Sequence, residues 1–170
     1  MSVYAQKGCW LLVLGLLVGC LGANGQTTDA RISELSYLDN QYMAQQRALL
    51  ADLVATNFGA RFSGAKDHDL QLLQSLLDRG IVQPDQSREL QAMGIIMGDL
   101  LAAELDMHWV VYEDRLGRSR ALRYQQSNEY LFPVTMISRR REAGNDSPVT
   151  AIYQKAYDII EPLRTPLPFQ

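Results

Sequence analysis

The hydrophobic pattern of this chain changes its period near residue 106. Before that point, apolar residues recur at spacings of three, four and seven, as on one face of a helix. After it, His108 to Tyr112 is a β-branched and aromatic run, and Arg118 to Tyr124 alternates in polarity. Such stretches are typical of short strands. Helices followed by strands predict an α+β domain.

Three helices are predicted before the change of period. Ser36 to Asp39 resembles a capping arrangement for the first, and Asp67 is the expected cap of the second. Glycines stand at the predicted carboxyl-terminal stops of both helices, and Pro84 opens the third. The predicted limits are 36–59, 67–80 and 84–105.

A three-stranded antiparallel meander and two more helices are predicted after the change of period. Asp114 to Gly117 is turn-like, and the third strand falls near Tyr130 to Phe132. Pro133 suits the first position of a helix, and Ser147-Pro148 opens the last one. The predicted helices cover 133–141 and 147–160. About 150 residues are enough for one core, so we expect a single domain over 29–170.

The first residues predict an export signal. Cys9 to Val18 is an unbroken apolar run behind a short positive start, and Leu17-Val18-Gly19-Cys20 resembles a bacterial lipobox. We therefore expect a signal peptide over 1–19, lipidation of Cys20, and a tether over 20–28. Leu21 after the cysteine favours the outer membrane. Cleavage after Gly25, which would release a soluble periplasmic protein, is the alternative.

Composition excludes several classes of protein and site. Both cysteines, Cys9 and Cys20, precede the domain, so it has no disulfide framework, cysteine nucleophile or thiolate metal site. With 47% hydrophobic and 21% charged residues and a net charge of -3, the chain is typical of a globular protein. An acidic pI near 5.3 argues against nucleic acid as a partner.

Charge is unevenly distributed along the chain. Residues 20–106 have 6 basic against 12 acidic side chains, whereas 107–170 have 9 against 7. Two interpretations of the basic residues stay open: a solvated face, or a site for phosphate, a carboxylate or an acidic protein. The candidate basic patch consists of Arg118, Arg120, Arg139, Arg140 and Arg141.

Asp99 interrupts an apolar helix, and a buried carboxylate needs a counter-charge. Either Arg123 or Arg140 is its predicted partner, in a structural ion pair. Trp109 is expected in the core. A structural or ligand-binding cluster would comprise Asp99, Trp109, Asp114, Arg123 and Arg140.

Other chemical signals are weak. Gly94, Gly98 and Ala102 form a stripe of small residues on the third helix, which favours close packing against the sheet or the first helix. Neither His68 nor His108 has a second histidine or a carboxylate at the sequence spacing typical of metal ligands. No common nucleophile, phosphate or dinucleotide motif occurs. No cofactor is predicted.

Several short motifs occur in the order found in one known family. Together they resemble the domain of unknown function 3806 family over residues 67–157. Arg140 occupies the arginine that closes the family pattern Pro-x-x-Met-Ile-x-Lys-Arg, with Arg139 where lysine is common. Because the family has no established activity, the resemblance implies one domain and no catalytic residue. The motifs are LQAMG (90–94), GD (98–99), HWVV (108–111), ED (113–114), Gly117, ALR (121–123) and FPVTMISRR (132–140).

These observations favour a lipid-anchored module that binds another envelope protein without catalysis. A periplasmic hydrolase or small-anion sensor is the alternative, and it would use Asp99, Glu113, Asp114 and the arginines. A pocket that joins the carboxylates would favour the enzyme, whereas scattered and paired side chains would favour the binding module.

Overall fold

A computed structural model describes residues 30–164 of the chain. The predicted signal peptide, Cys20 and the whole of the predicted tether lie outside these residues. The described part combines helices with an antiparallel sheet, as the change of period predicts. In chain order the elements are β1 (Arg31–Glu34), α1 (Tyr37–Phe58), α2 (Lys66–Asp78), α3 (Ser87–Leu105), β2 (Met107–Asp114), β3 (Gly117–Tyr124), β4 (Tyr130–Leu131), α4 (Ser138–Glu142) and α5 (Val149–Ile160).

Local signals set both ends of α1. Ser36 is the N-cap, and it exchanges hydrogen bonds with Asp39 in a capping box. Gly59 ends the helix with a φ of 62°, a left-handed conformation that glycine adopts without steric cost. The predicted first helix is therefore confirmed.

The start of α2 differs from the prediction. The N-cap position is Ala65, and Asp67 lies inside the first turn. The buried carboxylate of Asp69 instead accepts hydrogen bonds from the backbone N–H groups of Ser63 and Gly64. A side chain two residues after the predicted cap therefore accepts hydrogen bonds from the preceding loop.

The central helix is α3, which contacts α1, α2, α5 and the sheet. It is buried on most sides, as expected of an apolar helix at the centre of a fold. A Cβ on Gly98 would lie 2.5 Å from the Trp109 ring. At Gly98 the stripe of small residues thus permits close packing against the sheet, as predicted.

The sheet has the order β1-β2-β3-β4, with every pair antiparallel. The predicted hairpin is confirmed, because Asp114 pairs with Gly117 across a two-residue turn. The predicted count of three strands is wrong: β1 pairs with the outer edge of β2. It has one apolar residue, Ile32, so its sequence carries no strand pattern.

The prediction of one continuous helix over 133–141 is also wrong. A 3-10 turn covers Pro133–Thr135, and α4 begins only at Ser138. Backbone packing of Pro133 and Val134 against Gly94 positions the turn, a long-range contact that local propensity does not encode.

No helix within residues 30–164 has the length and apolar character needed to cross a membrane.

Candidate functional site

A groove of about 560 Å³ lies between β3, the start of α1 and the segment that follows β4. Its size is typical of ligand sites. Arginines from two separate parts of the chain line it, so we call it the arginine groove. Its walls include Tyr42, Arg118, Arg120, Phe132, Thr135 and Arg139.

Asp39 holds two of the arginines in place. Arg118 forms a bidentate pair with its carboxylate at 3.0 and 2.6 Å, and Arg120 Nη2 lies 2.9 Å from Oδ1. Ser36 Oγ donates a further hydrogen bond at 2.6 Å. The Arg118 guanidinium and the Ser36 donors hold the pKa of Asp39 well below its ordinary value of 3.8, although burial opposes that change.

Tyr42 provides a stacking surface one turn further along α1. The Arg120 guanidinium lies 4.1 Å from the Tyr42 ring centroid, a cation–π arrangement. Arg120 is therefore held between a ring and a buried carboxylate, with 23% of its side chain exposed. Such positioning lowers the conformational entropy that the guanidinium would lose on binding an anion.

The opposite wall consists of the segment from Phe132 to Arg139. The Phe132 and Tyr112 rings meet edge to face at a centroid distance of 5.3 Å. Arg139 is exposed and forms no ion pair within residues 30–164. The groove therefore joins an apolar wall with cationic groups.

The five arginines of the predicted patch do not converge. Arg118, Arg120 and Arg139 line the groove, whereas Arg140 donates to the carbonyl of Met136 at 2.6 Å. Arg141 pairs with Asp146 and is only 11% exposed. The last two side chains stabilise the α4 region instead of completing a charged surface.

The predicted partners of Asp99 are wrong. Arg47 of α1 forms the bidentate pair, at 2.7 and 2.8 Å, and Trp109 Nε1 donates to the same carboxylate at 3.0 Å. Both charged side chains remain about one-third exposed. Arg123 instead donates to the carbonyls of Gln126 and Ser127.

The carboxylates proposed for an enzyme do not share a pocket. Asp114 lines the groove, and its Oδ1 accepts a hydrogen bond from the backbone of Leu116. Glu113 and Asp99 lie outside the groove lining. The geometry brings together arginines, not a pair of acids.

Ser63, His68 and Asp69 meet at the start of α2 without forming a catalytic triad. His68 Nδ1 lies 3.4 Å from Ser63 Oγ and 2.8 Å from Asp69 Oδ1. In a triad the serine and the carboxylate contact different ring nitrogens. This cluster is a loop cap, and the described residues hold no group of three potential metal ligands.

The sequence analysis missed Asp39 and Tyr42 as site residues. Asp39 lies on the stripe of α1 that also buries Met43, Leu50 and Val54. A carboxylate on a buried stripe needs a counter-charge, so this position in the sequence could have indicated that Asp39 pairs with a basic residue. The capping box accounted for an aspartate at position 39, so its pairing with Arg118 and Arg120 was not predicted.

The family model described as Domain of unknown function (DUF3806) matches residues 69–153. The chain belongs to this family. The DUF3806 match spans α3, the β2–β3 hairpin and the groove wall from Phe132 to Arg139. It begins after Tyr42, so α1 contributes to the groove from outside the matched region.

A crystal structure from Bacteroides thetaiotaomicron has a similar fold. That protein is 22% identical in sequence to this chain, and the two structures have a TM-score of 0.69. The alignment covers 76% of this chain. The alignment spans only 48% of that protein, so this chain corresponds to about half of its length. This likeness shows the fold alone. A search of curated proteins returned no match.

Proposed function

We propose that this DUF3806 protein is a non-enzymatic binding module of the bacterial envelope, and that it captures an acidic partner in the arginine groove. The observation that carries the proposal is the convergence of Arg118, Arg120 and Arg139 on one groove. Guanidinium groups bind carboxylates in bidentate geometry, so a groove with three of them suits an acidic ligand.

The lining of the groove supports binding over catalysis. Its aliphatic hydroxyl groups, on Ser119 and Thr135, have no histidine beside them in the lining. Asp114, its carboxylate, already accepts a turn hydrogen bond. A hydroxyl group without a neighbouring base is a poor nucleophile. Arginines and aromatic rings in the same lining favour recognition of a charged group.

The envelope location in this proposal rests on the sequence. The apolar run Cys9 to Val18 and the motif ending in Cys20 support export and attachment to the outer membrane through lipid. The partner is then another envelope protein within reach of a tethered domain. A soluble periplasmic form after cleavage near Gly25 stays the alternative.

Site-specific photo-crosslinking tests the proposal. A photoactivatable residue replaces Thr135 in the groove wall, and the matched control position is Arg61, exposed in the loop after α1. We expect a discrete adduct in intact cells from position 135 alone. Arg139→Glu should abolish that adduct, and added salt should weaken capture in isolated envelopes because screening reduces exposed charge interactions.

Arg139 is the suitable side chain to reverse, because it forms no ion pair within residues 30–164. Arg118 is not, since it is paired with buried Asp39. Thermal unfolding of Arg139→Glu should match that of the wild type. If the yield of the adduct from position 135 is unchanged by Arg139→Glu and by added salt, the groove does not recognise an acidic partner.

A further inference from the structure

The outer edge of β3 is only partly covered. β4 pairs with Leu122 and Arg123 alone, and the chain then turns into the 3-10 segment at Pro133. No strand of the described chain pairs with Gly117 to Ala121 on this side. At about 3.3 Å per residue, this open edge is about 13 Å long. An unpaired strand edge is a template for another extended segment.

The direction of the free backbone groups follows from a neighbouring hydrogen bond. The N–H of Tyr124 donates to the carbonyl of Glu129, on the β4 side. Backbone groups alternate between the two edges of a strand. The N–H and C=O groups of Arg118 and Arg120 therefore point to the open edge.

The arginine groove lies along this open edge. Four consecutive residues, Gly117 to Arg120, line it, and Phe132 lies on its other wall. An occupant that entered the groove would thus lie beside free backbone donors and acceptors. The edge is about long enough for five residues of a partner strand.

The two faces of β3 differ in chemistry. Arg118 and Arg120 point towards α1, where they contact Asp39. Tyr112, opposite Ser119 in the register, lies on the other face and contacts Phe132. A strand added in register would present alternate side chains to guanidinium groups and to aromatic rings.

We propose that the occupant of the arginine groove is an extended segment of a partner protein, with alternating acidic and apolar residues, that pairs antiparallel with β3. This inference rests on the proposed function and specifies the form of the partner. Charge complementarity selects acidic residues opposite Arg118 and Arg120, and Tyr112 and Phe132 select apolar residues between them. The segment would continue the line of β4.

The antiparallel arrangement makes a specific backbone prediction. Residues directly opposite Arg118 and Arg120 would exchange both hydrogen bonds with them and would be the acidic residues. The N–H groups of the intervening apolar residues would point away from β3. Methylation of one set of peptide nitrogens should therefore abolish binding, and methylation of the other should not.

Binding of capped synthetic peptides to the folded domain tests this inference. The probe is Ac-Glu-Val-Glu-Val-Glu-Val-NH2, with one variant N-methylated at the glutamates and a matched variant N-methylated at the valines. We expect the glutamate-methylated peptide to bind at least tenfold more weakly than the other two. In hydrogen exchange, the probe should protect the amides of Arg118 and Arg120 and leave that of Leu122 unchanged.

The outcomes separate the two proposals. Equal binding of all three peptides, with loss in Arg139→Glu, would overturn strand pairing and leave acidic capture in place. No binding of any peptide, together with crosslinking from position 135 that is insensitive to Arg139→Glu, would overturn both. Protection of Arg118 and Arg120 that rises with protein concentration alone would identify a second copy as the occupant and overturn the inference.

Discussion

At the scale of single residues, Asp39 has two functions. Its carboxylate completes the capping box of α1 and is also the counter-charge of Arg118 and Arg120. The residue is 1% exposed, so this ion pair lies at the margin of the core. Loss of the carboxylate would leave two guanidinium groups without a partner where water reaches them only in part.

Asp39→Asn should lower the free energy of unfolding by about 2 to 3 kcal/mol at pH 7, the range for loss of a charged, partly buried partner. Urea unfolding measures this change. The control is Asp52→Asn, an exposed site on the same helix that should change stability by less than about 0.5 kcal/mol. Equal stability of the two variants would show that Asp39 is only a cap.

The same residue predicts a pH dependence. The pKa of Asp39 is lowered on folding, chiefly by hydrogen bonds from Arg118, so the unfolded chain binds this proton more readily. The stabilisation is present above about pH 4, where the unfolded carboxyl is ionised, and is lost as the pH falls below that value. Wild type should therefore lose stability more steeply than Asp39→Asn between about pH 5 and pH 3. Parallel curves would contradict this assignment.

At the scale of elements, contact between α3 and the 3-10 turn sets the position of one groove wall. A Cβ on Gly94 would lie 2.7 Å from the carbonyl oxygen of Val134 and closer still to that of Pro133. Both atoms belong to backbone, which cannot move aside as a flexible side chain can. This contact thus fixes the distance between α3 and the segment that carries Arg139.

Gly94→Ala should destabilise the protein by about 1 to 3 kcal/mol because of overpacking. Helix propensity alone would give the opposite sign, since alanine favours a helix by about 1 kcal/mol over glycine. Ala103→Gly, at an exposed site of α3, measures that propensity in the same helix. A Gly94→Ala variant that melts above the wild type would show that the turn moves freely.

At the scale of the whole molecule, the arginine groove and the open edge of β3 meet at one site. Elements from outside and inside the DUF3806 match contribute, because Tyr42 precedes the matched residues and Arg139 lies within them. The second half of the chain, with its excess of basic residues, supplies the guanidinium groups, and the acidic first half supplies Asp39. Folding thus neutralises part of the charge and leaves Arg139 free of an ion pair in the described residues.

Attachment to the membrane is a prediction for the complete protein. Cys20→Ala should move the protein from the membrane to the soluble fraction of the envelope, because a lipid-modified cysteine with two or more acyl chains anchors stably. Cys9→Ala is the matched control and should stay with the membrane. Cell fractionation, with mass spectrometry of the amino-terminal peptide, measures the result. Membrane retention of Cys20→Ala, and no lipid on the wild-type peptide, would contradict the lipobox interpretation.

The sequence by itself determined the elements whose signals are local. The capping box at Ser36 and the left-handed Gly59 set the limits of α1, and alternation set the β2–β3 hairpin. The sequence also identified Arg118, Arg120 and Arg139, because clustered arginines are visible without a fold. These features need only neighbours within a few residues.

The tertiary structure alone decided which of these groups meet. β1 has almost no strand pattern and forms because β2 offers it an edge. Asp99 pairs with Arg47, which is 52 residues away in the chain, instead of with Arg123 or Arg140. Arg118 meets Asp39 across 79 residues. Periodicity shows which face of an element is buried, but the partner of a charged side chain depends on how those faces are packed together.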